Sequence, residues 1–495
     1  MIDSMLVNQD DTLWGALQII DANSIGVAFA VDESRKLTGI ITDGDIRRGL
    51  LDGKSLDCKV RLVMNASCVS LPIGATSSEI FSNFSNKIRI LPLLDETGRP
   101  VDFATPRRLH KIPVAEPDMG GNEMQYVEKC LNDNWISSQG PFVKEFETKF
   151  SEQVGVANAI STSSGTTALH LGLAALGIGP GDEVILPSLT FAASINAILY
   201  TGATPVLVDV EPDTWNIDPD EIARAITDRT KAVMVVHLYG QPARMDKIKD
   251  ILRGRDIFLI EDAAEALGAI YKGEPVGSFG DVAAFSFFGN KIITTGEGGM
   301  LMVRDPEVAA RARILRDHGM NPKRKYWHDC VGFNYRLTNI QAAIGVAQLE
   351  RLDFFLARKL EIAESYTTKL KDIEGFQFPV KLPESRNMYW LFSVVLDSRK
   401  TGISRDELID AMLRGGIETR PVFPPLHKMP PYLEYASRPV LPVSEHLAYN
   451  GLSLPSSPNM TIEAINDIEE FIKHVLNVRN FKITHQNEVL KGEDT

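Results

Sequence analysis

The chain has 495 residues, 44% of them hydrophobic and 24% charged, an ordinary globular composition with room for roughly two to four domains. Its formal net charge of -13 repels phosphate backbones and anionic lipid. That argues against a general nucleic-acid or membrane-surface binder, while leaving room for a small phosphorylated ligand in a local positive pocket.

The N-terminus (Met1-Ile-Asp-Ser-Met) has no basic stretch followed by an apolar one, and no apolar run is long enough to span a bilayer. Residues 1–112 show one pattern twice. The first copy has a helix-like segment at Thr12–Ala22, apolar runs at Gly26–Val31 and Leu37–Thr42, and a basic helix start at Asp45. The second has a helix-like segment at 76–84, apolar Ile88–Leu94, the turn Asp95-Glu-Thr-Gly98 and Val101–Thr105. Cys58 and Cys68 lie here, Cys130 and Cys330 further on. Their spacing suits neither zinc nor a disulfide framework, so free thiols in a reducing cytoplasm and no metal site are expected.

Residues 111–121 (KIPVAEPDMGG) carry two prolines and two glycines, which is linker chemistry. A large region follows at 113–351. Its candidate strands are Glu183–Pro187, Thr204–Asp209, Ala232–His237, Ile257–Glu261, Val282–Phe287 and Met300–Val303. Most are apolar throughout, as strands covered on both faces are. Helical runs such as Ser194–Tyr200, Pro219–Ala225 and Met245–Leu252 separate them. The fold class is therefore α/β, with a mostly parallel sheet between helices. A smaller α+β region at 352–484 and a polar tail at 485–495, expected to be mobile, complete the chain.

Ligands of open α/β sheets sit beyond the carboxyl ends of the strands, so the residues just past each strand are the candidates. Ser163-Ser-Gly165-Thr166-Thr167 opens a helix and offers free N–H groups and hydroxyls to a phosphate. Phe191 could stack on a ring. Asp262 could pair with a protonated pyridine nitrogen, keeping the ring an electron sink. Lys291, on a Gly-bounded loop, could form a Schiff base and shuttle protons. Singly, each has a plainer reading: a turn, a packed core ring, a helix cap, a solvated lysine. Their order along consecutive strand ends is what points to chemistry.

Several segments resemble the DegT/StrS family of sugar aminotransferases, the aspartate-aminotransferase-like fold type I of pyridoxal-phosphate (PLP) enzymes. They are Trp135–Gly140, Ser164–Leu169, Pro187–Ala193, Glu261–Ala266, Ser286–Lys291, Thr295–Gly299 and Gly332–Asn339. The resemblance implies that Lys291 holds the cofactor as a Schiff base and is the acid/base, and that Asp262 pairs with the pyridine nitrogen. Glu265 would stand near the ring hydroxyl, where many relatives carry Gln. Gly165, Thr166 and Ser286 would bind the phosphate, and Phe191 would stack on the ring. Asn334 would reach the phosphate across a homodimer interface. Glutamate would be the donor.

Tyr326–Asp329 and Ile417–Tyr432 resemble the perosamine-synthase branch. That branch aminates C4 of a GDP-linked 4-keto-6-deoxymannose for cell-surface glycans such as O-antigen. A nucleotide-linked 4-keto-6-deoxyhexose is thus the expected acceptor, GDP ahead of UDP, with His328 and Arg420 as candidate substrate contacts. A hydrogen-bonded structural histidine and an interface ion pair remain open for those two. The N-terminal region resembles a pair of CBS domains, which often bind adenine nucleotides. Thr42 would meet phosphate and Asp45 ribose, whereas the second copy has Arg108 in place of the acid. A dimerisation or docking module without ligand is the alternative there. For the whole chain, the alternatives are a PLP-dependent sugar dehydratase, against which Lys291 argues, and a nucleotide-sensing regulator on a vestigial scaffold.

Overall fold

In the computed structural model, residues 2–23, 25–75, 79–80, 83–85, 88–105, 112–436, 438 and 440–476 are described. Arg108, the 485–495 tail and much of the helix expected at 76–84 lie outside them. The chain divides into two compact units, Met1–Lys111 and Ile112–Thr495.

The first unit opens with strand β1 (Leu6–Asn8), helix α1 (Leu13–Asn23), β2 (Val27–Val31), β3 (Leu37–Thr42) and α2 (Asp43–Leu51). β2 runs parallel to β1 and antiparallel to β3, and every residue of this central strand is buried. β4 (Leu71–Pro72), β5 (Leu91–Leu94) and β6 (Pro100–Ala104) repeat that topology: β5 is parallel to β4 and antiparallel to β6. The repeat in sequence is thus also a repeat of pairing. The apolar run at 88–94 is strand only from Leu91.

The second unit is built on a seven-stranded sheet. Its strands are β7 (Asn158–Thr162), β8 (Glu183–Pro187), β9 (Thr204–Val208), β10 (Thr230–Val236), β11 (Phe258–Asp262), β12 (Val282–Ser286) and β13 (Gly299–Val303). The spatial order is β7-β13-β12-β11-β10-β8-β9. The strands from β9 to β12 are parallel, and β13 is antiparallel to both neighbours. The sequence pattern misses β7: Asn-Ala-Ile-Ser-Thr is too polar to read as a buried strand. Helices α3 (Glu123–Asn132), α4 (Pro141–Val154) and α5 (Gly165–Leu176) precede or follow β7.

Beyond the sheet, α6 (Asn339–Glu350) leads into α7 (Leu352–Leu370). A four-stranded sheet then packs its own core of Ile362, Tyr366, Phe392, Leu408, Met412 and Leu454. The stretch read as a linker is packed from residue 112 onward. Ile112 N–H donates to Gly416 O, and Glu418 N–H donates back to Ile112 O. Ser456 N–H donates to Val114 O, and Val114 is fully buried. Glu116, Pro117 and Met119 to Gly121 are exposed.

Candidate active site

A cavity of about 410 Å³ lies beyond the carboxyl ends of the parallel strands. Eight of the expected residues line it: Gly165, Thr166, Phe191, Asp262, Glu265, Ser286, Lys291 and Arg420.

One wall is the start of α5. Ser164 caps this helix: its Oγ accepts from Thr167 N–H, and Thr167 Oγ1 accepts from Ser164 N–H. The N–H groups of the first turn have no carbonyl partner within the helix. Gly165 lets this turn lie against β12, since a Cβ there would stand 2.9 Å from Ser286 Cβ. Gly299 does the same from β13, where a Cβ would come within 2.4 Å of Ser164 O. A helix N-terminus, two hydroxyls and closely approached backbone make a donor set suited to a phosphate.

The floor comes from β11. Alternation along the strand sends Glu261 and Asp262 to opposite faces. Glu261 turns away and accepts from the N–H groups of Gly277, Phe279 and Gly280 and from His237. Asp262 faces the cavity, accepting from Ser194 Oγ at 2.7 Å and Ala264 N–H at 3.2 Å. Burial pushes its carboxyl above the usual range, against the pull of Ser194, Ala264, Lys291 and His237.

Lys291 sits on the loop between β12 and β13. Phe287 N–H donates to Gly298 O and Thr295 N–H to Phe287 O, while the Phe287 ring packs on Phe146 and Phe150. That aromatic anchor fixes where the loop leaves the core. Lys291 Nζ lies 3.6 Å from Glu265 Oε1. Burial lowers its affinity for a proton, against the attraction of Glu265 and Asp262. Burial likewise raises Glu265 to about 7, although Lys291 and the Tyr239 N–H pull the other way. Burial thus disfavours the charged form of both members of this pair.

Phe191 is half-exposed at the cavity and contacts Phe423 at 5.6 Å, so it is not a core ring. The sequence reading missed the rest of this wall. Phe423 stacks on Tyr239, Tyr239 stacks on Trp390, and the Trp390 ring lies 3.5 Å from Lys291 Nζ. Tyr239 follows the end of β10, so the strand-end rule that found Asp262 could have found it. Trp390 and Phe423 come from the C-terminal region, where no such rule applies.

Two expected residues are not among those lining the cavity of this chain. His328 is exposed, with its Nδ1 2.9 Å from His318 O, a structural hydrogen bond. Asn334 pairs with Asp317 and accepts from Arg336. The segment from Tyr326 to Val331 runs over the surface, with Tyr326 77% and Val331 91% exposed. In the first unit, Thr42 and Asp45 form the capping box of α2. Asp45 Oδ2 accepts from Thr42 N–H and Oγ1, and Oδ1 accepts from Arg48.

Among the described residues no helix is long and apolar enough to cross a membrane. Residues 117–473 match the DegT/DnrJ/EryC1/StrS aminotransferase family, and residues 1–52 match a CBS domain. The GDP-perosamine synthase of Caulobacter vibrioides is 49% identical over 369 residues, covering 74% of this chain and 99% of that protein. The GDP-perosamine synthase of Escherichia coli O157:H7 is 47% identical over 361 residues, covering 73% of this chain and 97% of that protein. The crystal structure of DesV of S. venezuelae in complex with a ketimine intermediate superposes with a TM-score of 0.68. It is 36% identical and covers 72% of this chain and 94% of that chain. With a cavity that carries a lysine, a buried acid and an open helix N-terminus, the chain belongs to the DegT/DnrJ/EryC1/StrS aminotransferase family and is a PLP-dependent aminotransferase with an N-terminal CBS domain.

Proposed function

We propose that the enzyme transfers an amino group from glutamate to C4 of a GDP-linked 4-keto-6-deoxyhexose, with Lys291 as the cofactor lysine. The convergence of Asp262, Glu265 and Lys291 on one cavity under the N-terminus of α5 carries this reading. The likeness to GDP-perosamine synthases supports the sugar and its nucleotide.

Gly165, Thr166 and Ser286 would hold the phosphate of PLP, Asp262 its ring nitrogen and Phe191 a ring face. When bound, PLP supplies an electron sink for the bonds at the donor's α-carbon. The residues do the rest. Asp262, locked by Ser194, holds a proton at the ring nitrogen. Lys291 Nζ would move the proton at the donor's α-carbon and, in the second half-reaction, the proton at C4 of the sugar. Glu265, raised to about 7 by burial, would exchange a proton beside Lys291 near neutral pH. Arg420, half-exposed at the cavity, would meet an anionic group of either substrate. Asn334 would act in the second subunit of a homodimer, and His328 would touch substrate only there.

The N-terminal unit, residues 1–111, would serve as a docking or nucleotide-binding module. The capping box that occupies Thr42 and Asp45 favours docking.

The test is turnover with glutamate and a panel of GDP- and UDP-linked 4-keto-6-deoxyhexoses, with and without ATP or AMP. A GDP-linked amino sugar, detected by mass spectrometry, is expected. Turnover of UDP-sugars alone would overturn the nucleotide assignment. Borohydride trapping with peptide mapping places the cofactor, and a label away from Lys291 would overturn the lysine assignment.

A further inference from the structure

We propose that Lys359 is a positioning residue of this site: its amine clamps the carbonyls of Trp390 and Ser456 and so holds the Trp390 indole over Lys291. The proposal rests on Lys291 being the cofactor lysine.

Lys359 lies on α7 and is 3% exposed. Its Nζ donates to Trp390 O at 2.8 Å and to Ser456 O at 2.5 Å. Burial alone lowers its proton affinity, to a pKa of about 7. A buried amine is costly unless hydrogen-bonded, and the two acceptors it has found belong to segments that meet near the cavity. Ser456 in turn accepts from Phe392 N–H at Oγ and donates its own N–H to Val114 O.

Trp390 has two further tethers. Its N–H donates to Tyr239 O at 3.0 Å, and its Nε1–H donates to Asn290 O at 2.7 Å, one residue before Lys291. The residue therefore stands between two lysines, with its carbonyl on Lys359 and its ring over Lys291 Nζ. The negative face of the indole favours a positive charge on the Lys291 nitrogen. The other charged groups acting on Lys291 are Glu265, Asp262 and Arg420. Lys359 is not among the residues lining the cavity, and the contact that links it to Lys291 is the Trp390 carbonyl.

The experiment titrates the visible absorption band of the full-length holoenzyme against pH. The variants are K359M, K359R, W390F and the double variant K359M/W390F. K359M matches the length of lysine without its donors. Its midpoint should fall by ~0.5–1 pH unit, the size of a partly desolvated cation–π contact. W390F should shift it in the same direction, the double variant should add little to W390F, and K359R should restore the wild-type value. A K359M enzyme that melts earlier but titrates like wild type would show a lysine that only stabilises the core, overturning the proposal. Additive shifts in the double variant would also overturn it. If K359M does not fold, W390F decides, and an unchanged midpoint there refutes the proposal. A wild-type enzyme without the band, or trapped at another lysine, would instead refute the assignment of Lys291 on which the proposal stands.

Discussion

Helices α2 and α5 begin in the same way and end up doing different things. Each follows a strand, and each is closed by a capping box, Thr42 with Asp45 in α2 and Ser164 with Thr167 in α5. Both starts carry the positive end of a helix dipole. In α2 the first turn contains Asp43 and Asp45, so its own carboxylates satisfy that charge. In α5 the first turn has no acid, and it opens on a cavity shared with Ser286 and Lys291. A helix start is available to an anion when its own sequence leaves the dipole uncompensated. A shared capping motif alone does not make it so.

The sharpest break of this comparison is to remove what faces α5. K291A should lose the visible band and reduce transamination by at least ~10³-fold, within the range for loss of a positioned acid/base; absorbance and turnover check it. Next, T166D gives α5 an acid like those of α2. An acid in the first turn favours the helix but repels a phosphate, so PLP affinity should fall by roughly 100-fold with no loss of melting temperature. Equilibrium binding to the apoenzyme measures this.

E265Q addresses an acid that the cavity does contain. Burial raises Glu265 to about 7 from an ordinary value of 4.5. Between those values the folded chain binds more protons than the unfolded one. Stability therefore falls as pH rises through this window and is fully present below it. Glutamine cannot ionise, so the apoenzyme of E265Q should gain on wild type by up to roughly 3 kcal/mol between pH 4.5 and 7. Denaturant unfolding at both pH values checks the sign. The smallest effect belongs to α2: D45A should destabilise the N-terminal unit by ~1 kcal/mol and leave turnover unchanged. A D45A enzyme that also lost adenine-nucleotide binding would revive the reading of Asp45 as a ligand contact.

Most of the catalytic wall was legible because a parallel sheet gathers its strand ends at one edge. Asp262 and Lys291 follow consecutive runs, β11 and β12, that are plainly strands in the sequence. β7 was not legible, because an antiparallel edge strand does not need the apolar run that a central parallel strand needs. Trp390 and Phe423 were hidden for another reason. They reach the site through tertiary packing from 99 and 132 residues beyond Lys291 in the chain, and neither lies beside a strand end of the main sheet. His328 and Asn334 came from motif likeness alone, and one chain does not bring them to its own cavity, so their roles depend on a second subunit. Asp45 shows how a motif position can be engaged by local structure, since helix capping uses one of its oxygens and Arg48 the other.

The hydrogen bonds at residues 112–116 fix where the protein can be divided. A shortened chain beginning at Ile112 retains both pairings with 416–418 and the buried Val114 side chain. One beginning three residues later would leave the carbonyl of Gly416 and the N–H groups of Glu418 and Ser456 without their acceptors and donors, and would open a void where valine had been. A truncation at 111 therefore reports on what the N-terminal unit contributes, whereas a truncation at 114 damages the transferase itself.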